Sequence, residues 1–241
     1  VSSQIGSVQS TGSEHEFAPG EVSSIFISWA SGDIDIQPAD QDTVTVSEER
    51  SGGSSMVVRH LGSTLEIEAG ESKWGLVFGK SNQKNLTVRL PRDWLCQSLE
   101  IKAASADIRV DGLTITSVAL NTASGDCVFT DCTVEKMQVN TASGDLDYSG
   151  VLKKLELKGA SADCNLRLSD APAAIEMNTA SGELNLFLPD NCGFTLDRSS
   201  LSGAFQSDFA TTTENDRIVC GDGACQITFS SFSGDINIRK K

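Results

Sequence analysis

Along most of the chain apolar residues alternate with polar ones, and the alternating stretches recur. Leu99/Ile101, Val118/Leu120, Met137/Val139, Leu155/Leu157, Ile175/Met177 and Ile227/Phe229 are such pairs. A period of two puts these residues on one face of a β-strand, so each pair marks a strand with one side turned to a core. The same short string follows most of them. Ala103-Ala104-Ser105-Ala106-Asp107-Ile108-Arg109-Val110 returns as Thr122-Ala123-Ser124-Gly125-Asp126-Cys127-Val128-Phe129 and as Thr141-Ala142-Ser143-Gly144-Asp145-Leu146-Asp147-Tyr148. It returns again around Ser161 and Ser181, with outlying copies around Ser31 and Ser233. A degenerate copy around Ser202 has Ala204 where the others carry an acid. From Ser105 the marker serines step by 19, 19, 18, 20 and 21 residues to Ser202, then by 31 to Ser233. A period near 20 is too short for helical-hairpin or propeller repeats and suits one turn of a β-solenoid.

Parity then predicts a corner. Met137, Val139, Thr141 and Ser143 fall on one face, taken as inward, whereas Leu146 lies three residues beyond Ser143. That odd step would put Leu146 on the opposite face of a straight strand, so the chain must bend at Gly144-Asp145. Glycine leaves room for the bend, and an Asp side chain can hydrogen-bond nearby backbone amides. Each coil is expected to run strand, Ser-Gly-Asp corner, short second strand and return loop, with like residues stacked about 4.8 Å apart.

The expected fold is all-β: a single-domain β-solenoid, or β-helix, of right-handed coils with an irregular N-terminal hairpin or cap. Residues 1–18, rich in Ser, Gly, Gln, Thr and Glu, read as a flexible linker, and 19–241 as the solenoid domain. Within it, 51–94 is an irregular insertion or cap, 99–205 the regular coils, and 206–241 a terminal hairpin and last coil. The final strand runs into Arg239-Lys240-Lys241, charges that discourage strand addition at an edge.

Composition narrows the function. The 241 residues are 39% hydrophobic and only 6% aromatic, so the core must be aliphatic. Nineteen Lys and Arg against 33 Asp and Glu give a formal charge of −14, which repels nucleic acid and anionic membrane surfaces. No apolar run approaches the roughly 20 residues that span a bilayer, so membrane attachment is expected only through an anchor outside this chain.

Seven cysteines are present: Cys96, Cys127, Cys132, Cys164, Cys192, Cys220 and Cys225. Cys127 and Cys164 hold the first apolar place after the corner acid and read as buried aliphatic substitutes. Cys220 and Cys225 flank Gly221-Asp222-Gly223-Ala224 and are either bridged across a hairpin or free; Cys127 and Cys132 share that spacing. Neither pair is Cys-x-x-Cys, and His15 and His60 are distant, so zinc is not expected. No cofactor is expected either.

The most suggestive side chains form a carboxylate column: Asp107, Asp126, Asp145, Asp163 and Glu183, with Asp33 and Asp235 outside that run. Stacked carboxylates are a candidate Ca²⁺ ladder. The preferred reading is that each acid satisfies the backbone of its corner, because the Gly-Gly-x-Gly-x-Asp repeat of calcium-binding β-rolls is absent and Arg109 sits beside the run. Thr122, Thr141, Thr179 and the marker serines read as inward, hydrogen-bonded corner filling, since no histidine accompanies them as a base. Trp74 and Trp94 suit capping of a solenoid end better than stacking on sugars. The acids stand one per coil rather than clustered with basic or metal partners, so no catalytic residues are assigned and an enzyme is not expected.

Taken together, the repeated Ser-Gly-Asp-apolar-x-apolar marker, Asn85-Leu86-Thr87-Val88-Arg89-Leu90-Pro91 and Val219-Cys220-Gly221-Asp222-Gly223 resemble the bacterial putative-adhesin β-strand-repeat family over residues 22–239. This is a domain of unknown function found in cell-envelope proteins. The resemblance implies an extracellular or cell-surface solenoid, membrane-anchored in the full-length protein, and supplies no active-site residues. The expected role is a non-catalytic adhesin-like or scaffold module presenting an acidic face to a protein or glycan of the envelope. The alternative is an extracytoplasmic domain of an envelope-stress system that senses a carbohydrate or divalent cation.

Overall fold

In the computed structural model, which describes residues 8–11, 13–50, 55–70 and 84–241, the chain is all-β. Twenty strands among the described residues join one hydrogen-bonded sheet, with no helix among them. Trp74 lies outside the described residues.

The alternation in the sequence is an alternation of burial. In the strand Cys127–Ser143, the buried residues are Cys127, Phe129, Cys132, Val134, Met137, Val139 and Thr141. They step by two within a side and by three between sides. Each step of three reverses the facing of a straight strand, so the chain turns at Thr130-Asp131 and again at Glu135-Lys136. At the first turn the ladder shifts register between Phe129 and Cys132, and Asp131 takes a φ of 53°. Each coil thus has three short inward sides, and its return, expected as a loop, is itself strand.

Coils stack in parallel and in register. Met137 stands between Val118 and Leu155, and Ser143 between Ser124 and Ser161. Naming each coil by its marker serine, the layers run Ser31, Ser105, Ser124, Ser143, Ser161, Ser181, Ser233 and Ser202. The last coil in sequence is therefore not the last in space. Ile236 and Ile238 pair on one side with Leu184 and Leu186 and on the other with Phe205 and Ser207. Arg239-Lys240 consequently lies inside the stack rather than guarding an edge, and the Arg239 guanidinium holds Asp208 at 2.9 Å and Gln206 at 2.8 Å.

The N-terminal end also differs from expectation. Residues read as a linker include two strands: Val8–Thr11 pairs with Val57–Leu61, and Glu14–Phe17 pairs with Val44–Arg50. The irregular stretch supplies an outer layer in two halves. Leu65 and Ile67 stack on Ile25 and Ile27, while Leu86 and Val88 stack on Ile34 and Ile36. Here Glu48 and Lys84 form a buried ion pair, with Oε1 to Nζ at 3.6 Å. Charges removed from water need further polar partners. Glu48 Oε2 accepts the Met56 amide at 2.9 Å, Lys84 donates to the Gly70 carbonyl at 3.1 Å, and the Lys84 carbonyl accepts the Trp29 indole N–H at 2.8 Å.

A single aliphatic core runs through the layers, with Phe129 and Tyr148 stacked at 6.0 Å between ring centroids. A coil alone would bury only one flat ring of side chains, so its stability is that of its contacts with the coils on either side.

Candidate functional site

The corner is built by a bend that starts one residue earlier than parity suggested. Thr141 is buried, Ala142 and Ser143 both face solvent, and Leu146 is buried again. Ser105, Ser124, Ser161, Ser181, Ser202 and Ser233 are likewise exposed, so the marker serines do not fill the interior. Only the threonines do, and Thr122 and Thr179 donate to the carbonyls of Ser124 and Ser181 at 2.8 and 3.0 Å.

Glycine at the corner answers a close approach between coils. At Gly125 the backbone has φ of 119°, and a Cβ there would lie 2.2 Å from the Ala106 carbonyl oxygen. No side chain fits that gap, and the conformation itself disfavours one.

Acids come together as the sequence placed them, and each has a specific task. Asp107 accepts the backbone N–H of Asp126 at 3.0 Å, Asp126 that of Asp145 at 3.1 Å, Asp145 that of Asp163 at 2.9 Å, and Asp163 that of Glu183 at 2.8 Å. Each carboxylate therefore satisfies the next coil's corner rather than its own. At the N-terminal end Asn85 plays this part for the Asp33 amide at 3.2 Å, and Asp235 accepts the Ala204 amide at 2.7 Å. The column is interrupted where layers adjacent in space are distant in sequence. Asp33 turns to Arg109 at 3.3 Å, and Glu183 accepts from the side-chain amide of Asn237.

A second column, unremarked in the sequence, runs beside it. Asp147, Asn165, Asn185 and Asn237 pass side-chain hydrogen bonds along at 2.9, 3.0 and 2.9 Å. Its signal was present as an acid or amide two places after every corner acid of those coils.

On the other side of the corner lies a shallow trough parallel to the stack. One part, about 750 Å³, is lined by Asn121, Asn140 and Lys158 on one wall, Ala123, Ala142 and Ala160 on the other, and Thr122, Thr141 and Gly159 on the floor. It meets at Gly159 a second part of about 480 Å³ that continues past Asn178, Thr179 and Ala180 to Ser230, Ser231 and Phe232. Neither lining contains an acid.

The seven cysteines are free, buried thiols. Cys220 and Cys225 do not face each other across a hairpin, because both flank Phe194, one on each side. Burial pushes the Cys96, Cys127 and Cys225 thiols up to about 12 and that of Cys132 to about 11. Thiols held in this form are poor nucleophiles and poor metal ligands. Trp94 packs partly buried on the core and donates to the Val22 carbonyl at 3.1 Å, and His60 Nε2 lies 3.0 Å from the Glu21 carbonyl oxygen. Among the described residues no three His, Cys, Asp or Glu side chains converge on a point where a metal ion would sit.

Parallel coils stacked on one aliphatic core, with outward side chains arrayed in columns, define a repeat protein of the solenoid-like all-β class. The chain belongs to the Toastrack DUF4097 family, whose profile matches residues 22–170 and 149–239. That family is of unknown function. A solved structure described as a "putative adhesin" from Bacteroides fragilis has a TM-score of 0.52 at 13% identity, covering 97% of this chain and 98% of its own, and shares the fold. Similar in extent are a "putative cell adhesion protein" from Clostridium sporogenes, at 13% identity and TM-score 0.44 over 98% of this chain and 100% of its own, and a "putative lipid binding protein" from Parabacteroides distasonis, at 12% and 0.38 over 98% and 97%. No curated protein matches the chain.

Proposed function

We propose that this chain is a non-catalytic module of the bacterial cell envelope, displayed at the cell surface through an anchor outside this chain, that presents its outer columns to a macromolecular partner. The wind of its coils is taken as right-handed, the hand of nearly all parallel crossover connections. The observation that carries the reading is the use made of the corner acids. Four successive carboxylates each accept the next coil's amide, so the side chains best suited to acid-base chemistry hold the stack together. What the coils offer outward is a repeated surface, acidic at the corner, and repeated surfaces suit extended contact. Burial of every thiol also fits an oxidising exterior, where exposed thiolates react.

Co-sedimentation of the purified chain with peptidoglycan sacculi and with envelope membranes, at physiological salt, tests this. Saturable binding to either fraction is expected, without change in the fraction's glycan. No binding to either, or turnover of a polysaccharide, would overturn it.

A further inference from the structure

We infer that the trough beside the corner is a binding site for a neutral, linear polysaccharide lying along the stack. The inference rests on the envelope role proposed above and names the surface and the ligand class that serve it.

The trough cannot take an added β-strand. Every coil along it, from Ser124 to Ser233, is already paired on both sides, so no backbone edge is open to a peptide. A ligand there must be read by side chains. The wall offers the amides of Asn121, Asn140 and Asn178, with Lys158 on the coil between the last two; Asn140 donates to Asn121 at 3.1 Å and Asn178 to Glu176 at 2.8 Å, which leaves their other donor and acceptor positions outward. Successive coils are about 4.8 Å apart, nearly the advance per ring of a 1,4-linked pyranose chain, so equivalent hydroxyls would meet equivalent amides.

Charge selects a neutral chain. The lining holds no acid and one cation, Lys158, which is paired with Glu156 at 2.6 Å. A polyanion would find no free cation there and would pass the acidic corner column. A cationic ligand would find no carboxylate in the trough.

The end of the trough, not its floor, points to an occupant. On the floor, Thr141 Oγ1 and Ser231 Oγ have no hydrogen-bond partner, yet both atoms are covered by protein, so a ligand in the trough does not reach them. Opposite Thr141 the next coil has Gly159, and the Ala162 and Thr141 methyl groups close the space beside it. At the far end, where other coils have Ala, the outward column ends in Phe232 and Leu201, 67% and 82% exposed. An exposed aromatic ring at the end of a hydroxyl-reading trough is a stacking platform for the apolar face of a sugar.

Titration calorimetry of the full chain with cellohexaose, chitohexaose and hexagalacturonate is the test. One of the two neutral hexamers is expected to bind, with its trimer about tenfold weaker because it spans fewer coils. Phe232→Ala and Ala142→Trp, both at exposed positions, are each expected to weaken binding by about tenfold, while Asp126→Asn on the corner changes it by less than about twofold. Absence of heat with both neutral hexamers at millimolar concentration, preference for hexagalacturonate, or unchanged affinity in Phe232→Ala and Ala142→Trp would each overturn the assignment. The same variants in the co-sedimentation assay separate the two readings. Envelope binding that survives both substitutions removes the trough and leaves the envelope role, whereas a wild-type chain that binds no envelope fraction removes the envelope role itself.

Discussion

The backbone amide of Asp145 donates to the carboxylate of Asp126, 19 residues earlier and one coil away, at 3.1 Å. The neighbouring amide, that of Leu146, donates onward to the Asp163 carbonyl at 2.9 Å. Corner strands therefore alternate backbone and side-chain acceptors, and the acid completes a ladder that the bend would leave open. Asp145→Ala leaves the Asp163 amide without its acceptor and is expected to lower the free energy of unfolding by about 1–2 kcal/mol. Asp145→Asn keeps an acceptor oxygen, as Asn85 does natively for Asp33, and is expected to cost less than half of that. Urea denaturation of the two variants decides: equal losses would mean that charge, not the hydrogen bond, is what the column supplies.

Corner glycines are the second point at which the stack is sensitive. Gly125→Ala puts a methyl group 2.2 Å from the Ala106 carbonyl oxygen in a backbone with φ of 119°, and is expected to destabilise by about 2–3 kcal/mol. Gly20→Ala meets nothing within 4 Å and is expected to change stability by less than about 0.5 kcal/mol. Melting temperatures that fall equally for both would show that the coils do not approach as closely as described.

Buried thiols give the protein an alkaline weakness. In Cys96, Cys127 and Cys225 burial raises the thiol from 9.0 to about 12. A group whose folded pKa is raised stabilises the fold fully below its unfolded value and loses that contribution as pH rises through the folded one. Stability is therefore expected to hold up to about pH 9 and to fall between pH 9 and 12, with the slope reduced in Cys127→Val. Ellman's reagent should label none of the seven at pH 8 in the folded chain and all of them in denaturant. Labelling of Cys164, which is fully buried, in the folded chain would contradict the packing.

Much of this was legible in the sequence because the coil repeats its parity. The odd step from Ser143 to Leu146 located the corner, although the outward turn already begins at Ala142. The same odd step separates Phe129 from Cys132 and Val134 from Met137, so all three turns of the coil are written there, although the expected coil had only the one at Ser-Gly-Asp. The acids were rightly tied to backbone, but which backbone depends on how coils stack, and no local pattern states that. Layer order was hidden for the same reason. The Ser202 and Ser233 markers differ chiefly at Ala204, which accepts no duty because among the described residues no further coil stacks on its outer side. The trough shows in sequence as Asn or Lys three places before most markers.

The placement of the last coil is the least expected feature, and a covalent test reaches it directly. Ser233 is in register with Ser181 on one side and Ser202 on the other, and all three are exposed. Adjacent strands are about 4.8 Å apart, within the span a disulfide bridges, whereas two strand spacings, about 9.6 Å, are beyond it. Under mild oxidation Ser181→Cys with Ser233→Cys is expected to cross-link, as is Ser202→Cys with Ser233→Cys, while Ser181→Cys with Ser202→Cys stays reduced. The native thiols do not compete, being buried. Mapping the bridge by proteolysis and mass spectrometry gives the result, and a bridge between positions 181 and 202 would mean that the coils stack in the order of the sequence and that the C-terminal strands lie at the end of the stack.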